Sequence, residues 1–267
     1  VLSLDPTPHG RVSALSGVQR ATHGSDYAVS IISVPALTQS SLLMAVERLR
    51  RAAVEGILVV APEHAAINAL AEISGEIPLV AVAAAPHEAL SVVAADDYSG
   101  AAAATRHLLE LGHRTVFHVA GPADRQNAGR RLAGWLHALL AAGAEVPSPL
   151  VGDWSPDLGY ELGCRLRARS DVTAIFVAND QMASGVLHAL FEAGRRVPQD
   201  VSVVGFDGIP EGEFFNPPLT TVQPDYTEIG RRSLHLLRSE IEAGRRAKIH
   251  EIIPAELMLR ASTATAA

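Results

Sequence analysis

"IFVANDQMASG", residues 175–185, joins two patterns end to end. Ile175 to Ala178 is a short apolar run rich in strand formers, and Met182, Ala183, Val186, Leu187 and Leu190 then recur at helical spacing. Between them stand Asn179, Asp180 and Gln181. One polar residue is enough to cap the helix by accepting a hydrogen bond from a free N–H of its first turn, and an acid there also suits the positive end of the helix dipole. Three in a row raise a second reading, because ligands of open α/β sheets bind at the carboxyl ends of the strands.

The same junction recurs along the chain. Leu4 is followed by Asp5, "VVAA" by Asp96 and Asp97, and "VVGF" by Asp207. "HVAGP" leads into Asp124, Arg125, Gln126 and Asn127, with Arg130 and Arg131 next, and Gly152 leads into "DWSPD", which puts Trp154 in a loop. In a parallel sheet such tips share one edge, so two facing lobes would line a ligand cleft with them. Carboxylates, amides and a guanidinium suit neighbouring hydroxyl groups, and a tryptophan suits the apolar face of a sugar ring. Asp96 and Asp97, as neighbours in a strand, are expected to point to opposite faces rather than form one acid–base or metal site.

Strand and helix patterns alternate almost throughout. The first series reads as strands at 1–4, 28–34, 56–61, 77–83 and 90–95, with helices at 11–23, 40–54, about 65–73 and 100–111. A second series has strands at 115–121, 150–152, 174–178 and 201–206, with helices at 128–142, 157–169 and from the opening junction to Ala193. A long helix from about Thr227 to Ala243 follows, then "HEIIPAEL" as one strand-like stretch and "RASTATAA" as a weakly structured tail. This alternation predicts an α/β fold of two lobes, each a parallel sheet flanked by helices.

Composition narrows the function. The 267 residues are 48% hydrophobic, ample for a large core, and carry a net charge of −7, a poor surface for neutralising phosphates. One cysteine, Cys164, excludes an internal disulfide and a cysteine-based zinc cluster. No apolar run reaches membrane-spanning length, and no membrane partner is expected. The eleven histidines are scattered without H-E-x-x-H spacing, and G-x-S-x-G, P-loop and G-x-G-x-x-G motifs are missing. No catalytic residue, metal or cofactor is therefore expected. "VLSLD" reads as the second half of a strand, which suggests a piece of a longer protein.

"VAGP…RRLAGW", "GDWS", "FVANDQMASG", "VSVVGFD" and "PPLTTVQPDY" occur in an order and at spacings that resemble the lac repressor/galactose repressor family, and "HLLELGHR" fits as well. The resemblance covers nearly the whole chain. It implies a two-lobed fold like the periplasmic binding proteins, with crossovers near Leu111–Arg114, Thr221–Tyr226 and Ile252–Pro254. Residues 1–111 with 226–252 would form the N-terminal lobe, and 114–222 with 254–262 the C-terminal lobe. It further implies a cytoplasmic homodimer, a small sugar-like effector in the inter-lobe cleft, and operator DNA bound only through an N-terminal helix-turn-helix domain outside this sequence.

Matched motif by motif, the resemblance makes Arg131, Asn179, Asp207 and Trp154 effector contacts, with Gln181, Asn127, Arg125 and Tyr226 at further positions. The first lobe's share would come from Asp96 to Ser99 and from Thr7 to Ser13, including His9. Arg131 is expected to serve the effector and to matter little to the core. Pro224 stands where the family's namesake has an effector-contacting glutamine, and Arg125 and Asn127 are larger than the serines of its pattern, so a galactoside of the same kind is not expected. The competing readings are a sugar-binding protein feeding a transporter and a sugar-processing hydrolase.

Overall fold

A computed structural model describes residues 1–4, 9–23, 27–34, 39–60, 68, 77–82 and 88–266. Of the predicted helix at 65–73, only Asn68 falls within the described residues; Asp5 and Thr7 lie outside them. The chain divides into two compact units: Val1–Ala95 with Asp225–Ile253, and Asp96–Pro224 with Pro254–Ala267.

The first unit holds strands β1 (Leu2–Leu4), β2 (Ile32–Val34), β3 (Ile57–Val60), β4 (Leu79–Val82), β5 (Ser91–Ala95) and β11 (His250–Ile253) in the spatial order β11-β5-β4-β3-β1-β2, all parallel. Alternation along the strands sorts their side chains to two faces. Ile57, Val59, Leu79, Ala81, Val92 and Ala94 pack with Leu42, Val46 and Leu49 of α2 (Gln39–Arg51). Leu58, Val80 and Val93 pack with Val18 of α1 (His9–Thr22) and with Ile229, Leu234 and Leu237 of α7 (Tyr226–Ala243).

The second unit holds β6 (Phe117–Ala120), β7 (Leu150–Val151), β8 (Ala174–Val177), β9 (Ser202–Phe206), β10 (Thr220–Pro224) and β12 (Ala255–Met258), in the order β12-β10-β9-β8-β6-β7. Only β12 runs antiparallel, on β10. Phe117, Val119, Ile175, Val177 and Val203 face α5 (Pro156–Arg167) and α6 (Asp180–Glu192). Ala174, Phe176, Val204, Phe206 and Val222 face α3 (Asp97–Glu110) and α4 (Gln126–Ala141). Trp135 of α4 is buried there, and its indole N–H donates to the Val116 carbonyl, so the large ring enters the core with its polar atom satisfied.

Four expectations are corrected. Helix α3 belongs to the second unit, not with residues 1–95, and starts three residues earlier than predicted because Asp96 caps it by accepting from the Ser99 N–H. "HEIIPAEL", read from its pattern as one strand-like stretch, is two strands, β11 and β12, one in each sheet, separated at Pro254, where the resemblance put a crossover. Strand β10, absent from the expected series, pairs with both β9 and β12. The tail is not loosely held: Ser262 is fully buried, its hydroxyl donates to Val203 O and accepts from Thr220 N, and Ala264 N and Ala266 N donate to Ser202 Oγ and Leu111 O. Among the described residues, no helix is long and apolar enough to cross a membrane.

Candidate functional site

The parallel strands of the second unit deliver their polar tips together, and Arg131 stands at the centre. It projects from the second turn of α4, and its side chain is only 2% exposed. Its Nε donates to Asp97 Oδ1 at 2.8 Å, Nη2 donates to Asp207 Oδ1 at 2.9 Å, and Nη1 donates to the Ala178 carbonyl at the tip of β8. The guanidinium carbon lies 3.7 Å from the Phe206 ring centroid and 5.7 Å from that of Trp154, both within cation–π range. Burial pushes the Asp97 carboxyl above the usual range, and the adjacent Arg131 counters it. The expectation that Arg131 matters little to the core is therefore overturned, since the group ties the start of α3 to the ends of β8 and β9. Arg130, its neighbour, is one-third exposed and reaches Asp96 at 3.9 Å.

Asp97 falls inside the expected Asp96–Ser99 stretch, but as a partner of Arg131 rather than as a first-lobe contact. Asp96 and Asp97 are not a strand pair pointing to opposite faces: Asp96 is the helix cap and Asp97 the first residue of α3, turned inward onto Arg131. Phe206 was read only as a strand residue, though its place before Asp207 puts its ring beneath the guanidinium.

The three polar residues of the opening junction have distinct partners. Asn179 caps α6, its Oδ1 accepting from Met182 N, while its Nδ2 donates to the Trp154 carbonyl and to Gln181 Oε1. Asp180 is fully buried; its Oδ1 accepts from the Thr221 hydroxyl at 2.7 Å, and its Oδ2 from Ile209 N at 2.9 Å. Burial first, then the Asp207 charge, pushes its carboxyl up to about 7, against the hydrogen bonds from Thr221, Ile209 and Gly208. Two tip residues occupy the left-handed region that side chains rarely adopt, Trp154 at φ 77° and Asp207 at φ 103°. Trp154 lies over Gly121, where a β-carbon would meet the indole at 2.2 Å.

The remaining expected residues divide between the units. Asn127, at the start of α4, uses its Oδ1 on the Ala128 amide, and Arg125 stands just before α4, 3.9 Å from Asp124. Ser99 is exposed in the first turn of α3. In the first unit, Tyr226 opens α7 and its ring lies against Gly10 of α1, where a β-carbon would stand 2.8 Å from Cζ. Ser13 is partly buried on α1; His9 is the first residue of that helix, and its side chain lies outside the described residues. Pro224 ends β10 opposite Ala255. Among the described residues, no group of three His, Cys, Asp or Glu side chains is placed to hold a metal ion.

Comparison with known proteins agrees with this architecture. Residues 105–263 match the family described as periplasmic binding protein-like domain. The chain is 34% identical over 245 residues to the lactose operon repressor of Klebsiella pneumoniae, covering 90% of this chain and 69% of that one. It superposes on a dimeric Lac repressor with a C-terminal deletion at a TM-score of 0.92 and 25% identity, covering 99% of this chain and 98% of that one. The complex of the transcriptional regulator CelR with cellobiose gives a TM-score of 0.86 at 28% identity, covering 98% and 84% respectively.

Proposed function

The chain belongs to the lac repressor/galactose repressor family of transcription regulators, and from that premise we propose that it binds a small sugar and relays the bound state to operator DNA. The DNA contact is made by a helix-turn-helix domain outside these 267 residues, whose net charge of −7 suits them poorly to phosphate backbones. The relatives are regulators, which favours this reading over a transporter's binding protein. The chain is cytoplasmic, is not an enzyme and needs no cofactor. It acts as a homodimer, as its structural relative does.

The observation that carries the proposal is the cluster of Arg131, Asp207, Asn179 and Trp154 at the strand tips of the second unit. Two carboxylates flank one guanidinium, so the cluster favours an uncharged polyol over an anion. Trp154 offers a ring face beside these hydrogen-bonding groups, the pairing that a sugar's apolar face and hydroxyl edge need. Arg125, Asn127, Gln181, Asp96 and Ser99 of the second unit, and Tyr226, Ser13 and His9 of the first, are proposed as further effector contacts.

The test is a thermal-shift screen of monosaccharides, disaccharides, nucleosides and purines. The expected result is stabilisation by a sugar that grows with its concentration, as binding to the folded state requires. Stabilisation by a purine alone would replace the sugar reading.

A further inference from the structure

We propose that Asp180 is a positioning residue for effector binding, pinning the loop after β9 so that Asp207 is held against Arg131. The proposal rests on the reading of Asp207 and Arg131 as effector contacts. It answers why the strand tip at 179–181 is so polar: Asn179 already caps the helix, so Asp180 is not needed for that.

The geometry is specific. Asp180 is the first residue of α6, yet its carboxylate turns away from its own helix to serve its neighbours. It gathers the amides of Gly208 and Ile209, just past Asp207, and the hydroxyl of Thr221 on β10. The chain makes room for it at Gly205, where a β-carbon would sit 2.1 Å from Asp180 Oδ1. Asp207 is meanwhile held at φ 103°. A non-glycine residue persists there only when its surroundings over-determine it, and the two pinned amides immediately downstream supply that constraint.

Charge makes the pin adjustable. The charged group facing Asp180 is the Asp207 carboxylate, and it opposes ionisation; Thr221, Gly208 and Ile209 favour it. When Asp180 takes up a proton, its bonds to the two amides change from charge-assisted to neutral, roughly half as strong. Thr221 can turn its hydroxyl to accept from the new O–H, so the loop loosens without the core unfolding. Titration is centred at about 7, so acidification from pH 8 to pH 6 weakens the pin across the neutral range.

The experiment uses the 267-residue chain, its Asp180→Asn and Thr221→Val variants, and cellobiose as the probe. Amide exchange at Gly208 and Ile209, corrected for intrinsic pH effects, is followed with cellobiose titrations at several pH values. In the wild type, exchange speeds up and cellobiose affinity falls by about two- to tenfold from pH 8 to pH 6. Asp180→Asn, nearly isosteric, behaves at every pH as the wild type does at pH 6. Thr221→Val removes a bond to the ionised form and shifts both transitions to higher pH, which a merely space-filling role would not do. Exchange and affinity that ignore pH in the wild type, or an Asn variant that keeps full protection at pH 8, would overturn the proposal. If cellobiose does not bind at any pH, the sugar reading loses support, while the exchange data still decide the role of Asp180.

Discussion

Arg131 carries two obligations, and its replacement should expose both. The Arg131→Met variant keeps the stem but strands Asp97, which is 3% exposed, without its cation. Breaking a buried pair from one side typically costs about 3–5 kcal/mol. Urea denaturation should therefore show a loss of that order, beyond any loss of effector affinity. Arg130→Met removes only a long contact between partly exposed groups and should change stability by less than about 1 kcal/mol. His118 offers a second test at this scale. It is buried between the Trp135 and Phe176 rings, and its Nδ1 donates to Phe176 O. Burial holds its pKa down to about 4 from 6.5. The unfolded chain takes up this proton first on acidification, so the stability contributed by the neutral ring is intact above pH 6.5 and is lost as pH falls toward 4. The full effect is of order 3 kcal/mol. A His118→Phe variant should show a shallower fall in melting temperature over that window.

Most elements were legible because the strands are short apolar runs and the helices keep one apolar stripe. What escaped has physical causes. Strand β10 is "TTVQP", with an internal glutamine and a terminal proline, and it gains its place by pairing on both sides rather than from its pattern. A proline in "HEIIPAEL" was compatible with one edge strand as well as with two. At the site, Asp97 was placed only within the stretch Asp96–Ser99, and Asp180 was not named as a contact, because an acid beside a helix start looks like a cap. Sequence does not say which of two adjacent polar residues does the capping. The tail was misread because its hydrogen bonds are made by small polar residues, Ser262 above all, that carry no periodic signal. Ser262→Ala leaves Thr220 N and Val203 O without that hydroxyl, and calorimetry should show a loss of about 1–3 kcal/mol. Thr265→Ala, at an exposed position three residues on, should be close to neutral.

At the scale of the whole molecule, Phe191 and Phe214 are 76% and 86% exposed in the single chain, and large apolar rings left in water are the kind of surface that association covers. Light scattering at micromolar concentration should report a dimer, and changing both rings to serine should shift it toward monomer while leaving the melting temperature of the dilute chain little changed. The family was read from five ordered motifs and the two-unit architecture from the alternation of strands and helices, but the boundary of the first unit was not, because the helix after β5 carries no mark of which sheet it packs on.

Connectivity has a consequence for synthesis. Unit borders fall at 95/96, 224/225 and 253/254, so neither unit is a continuous piece of chain. The first unit's sheet lacks its edge strand β11, and one of its faces lacks α7, until residues 226–253 have been made. The unit that leaves the ribosome first thus waits, unfinished and with apolar strands uncovered, while the other is nearly complete. During translation the interval of uncovered apolar surface therefore falls on the first unit, and a ribosome stalled within α7 would leave the strands of residues 1–95 exposed.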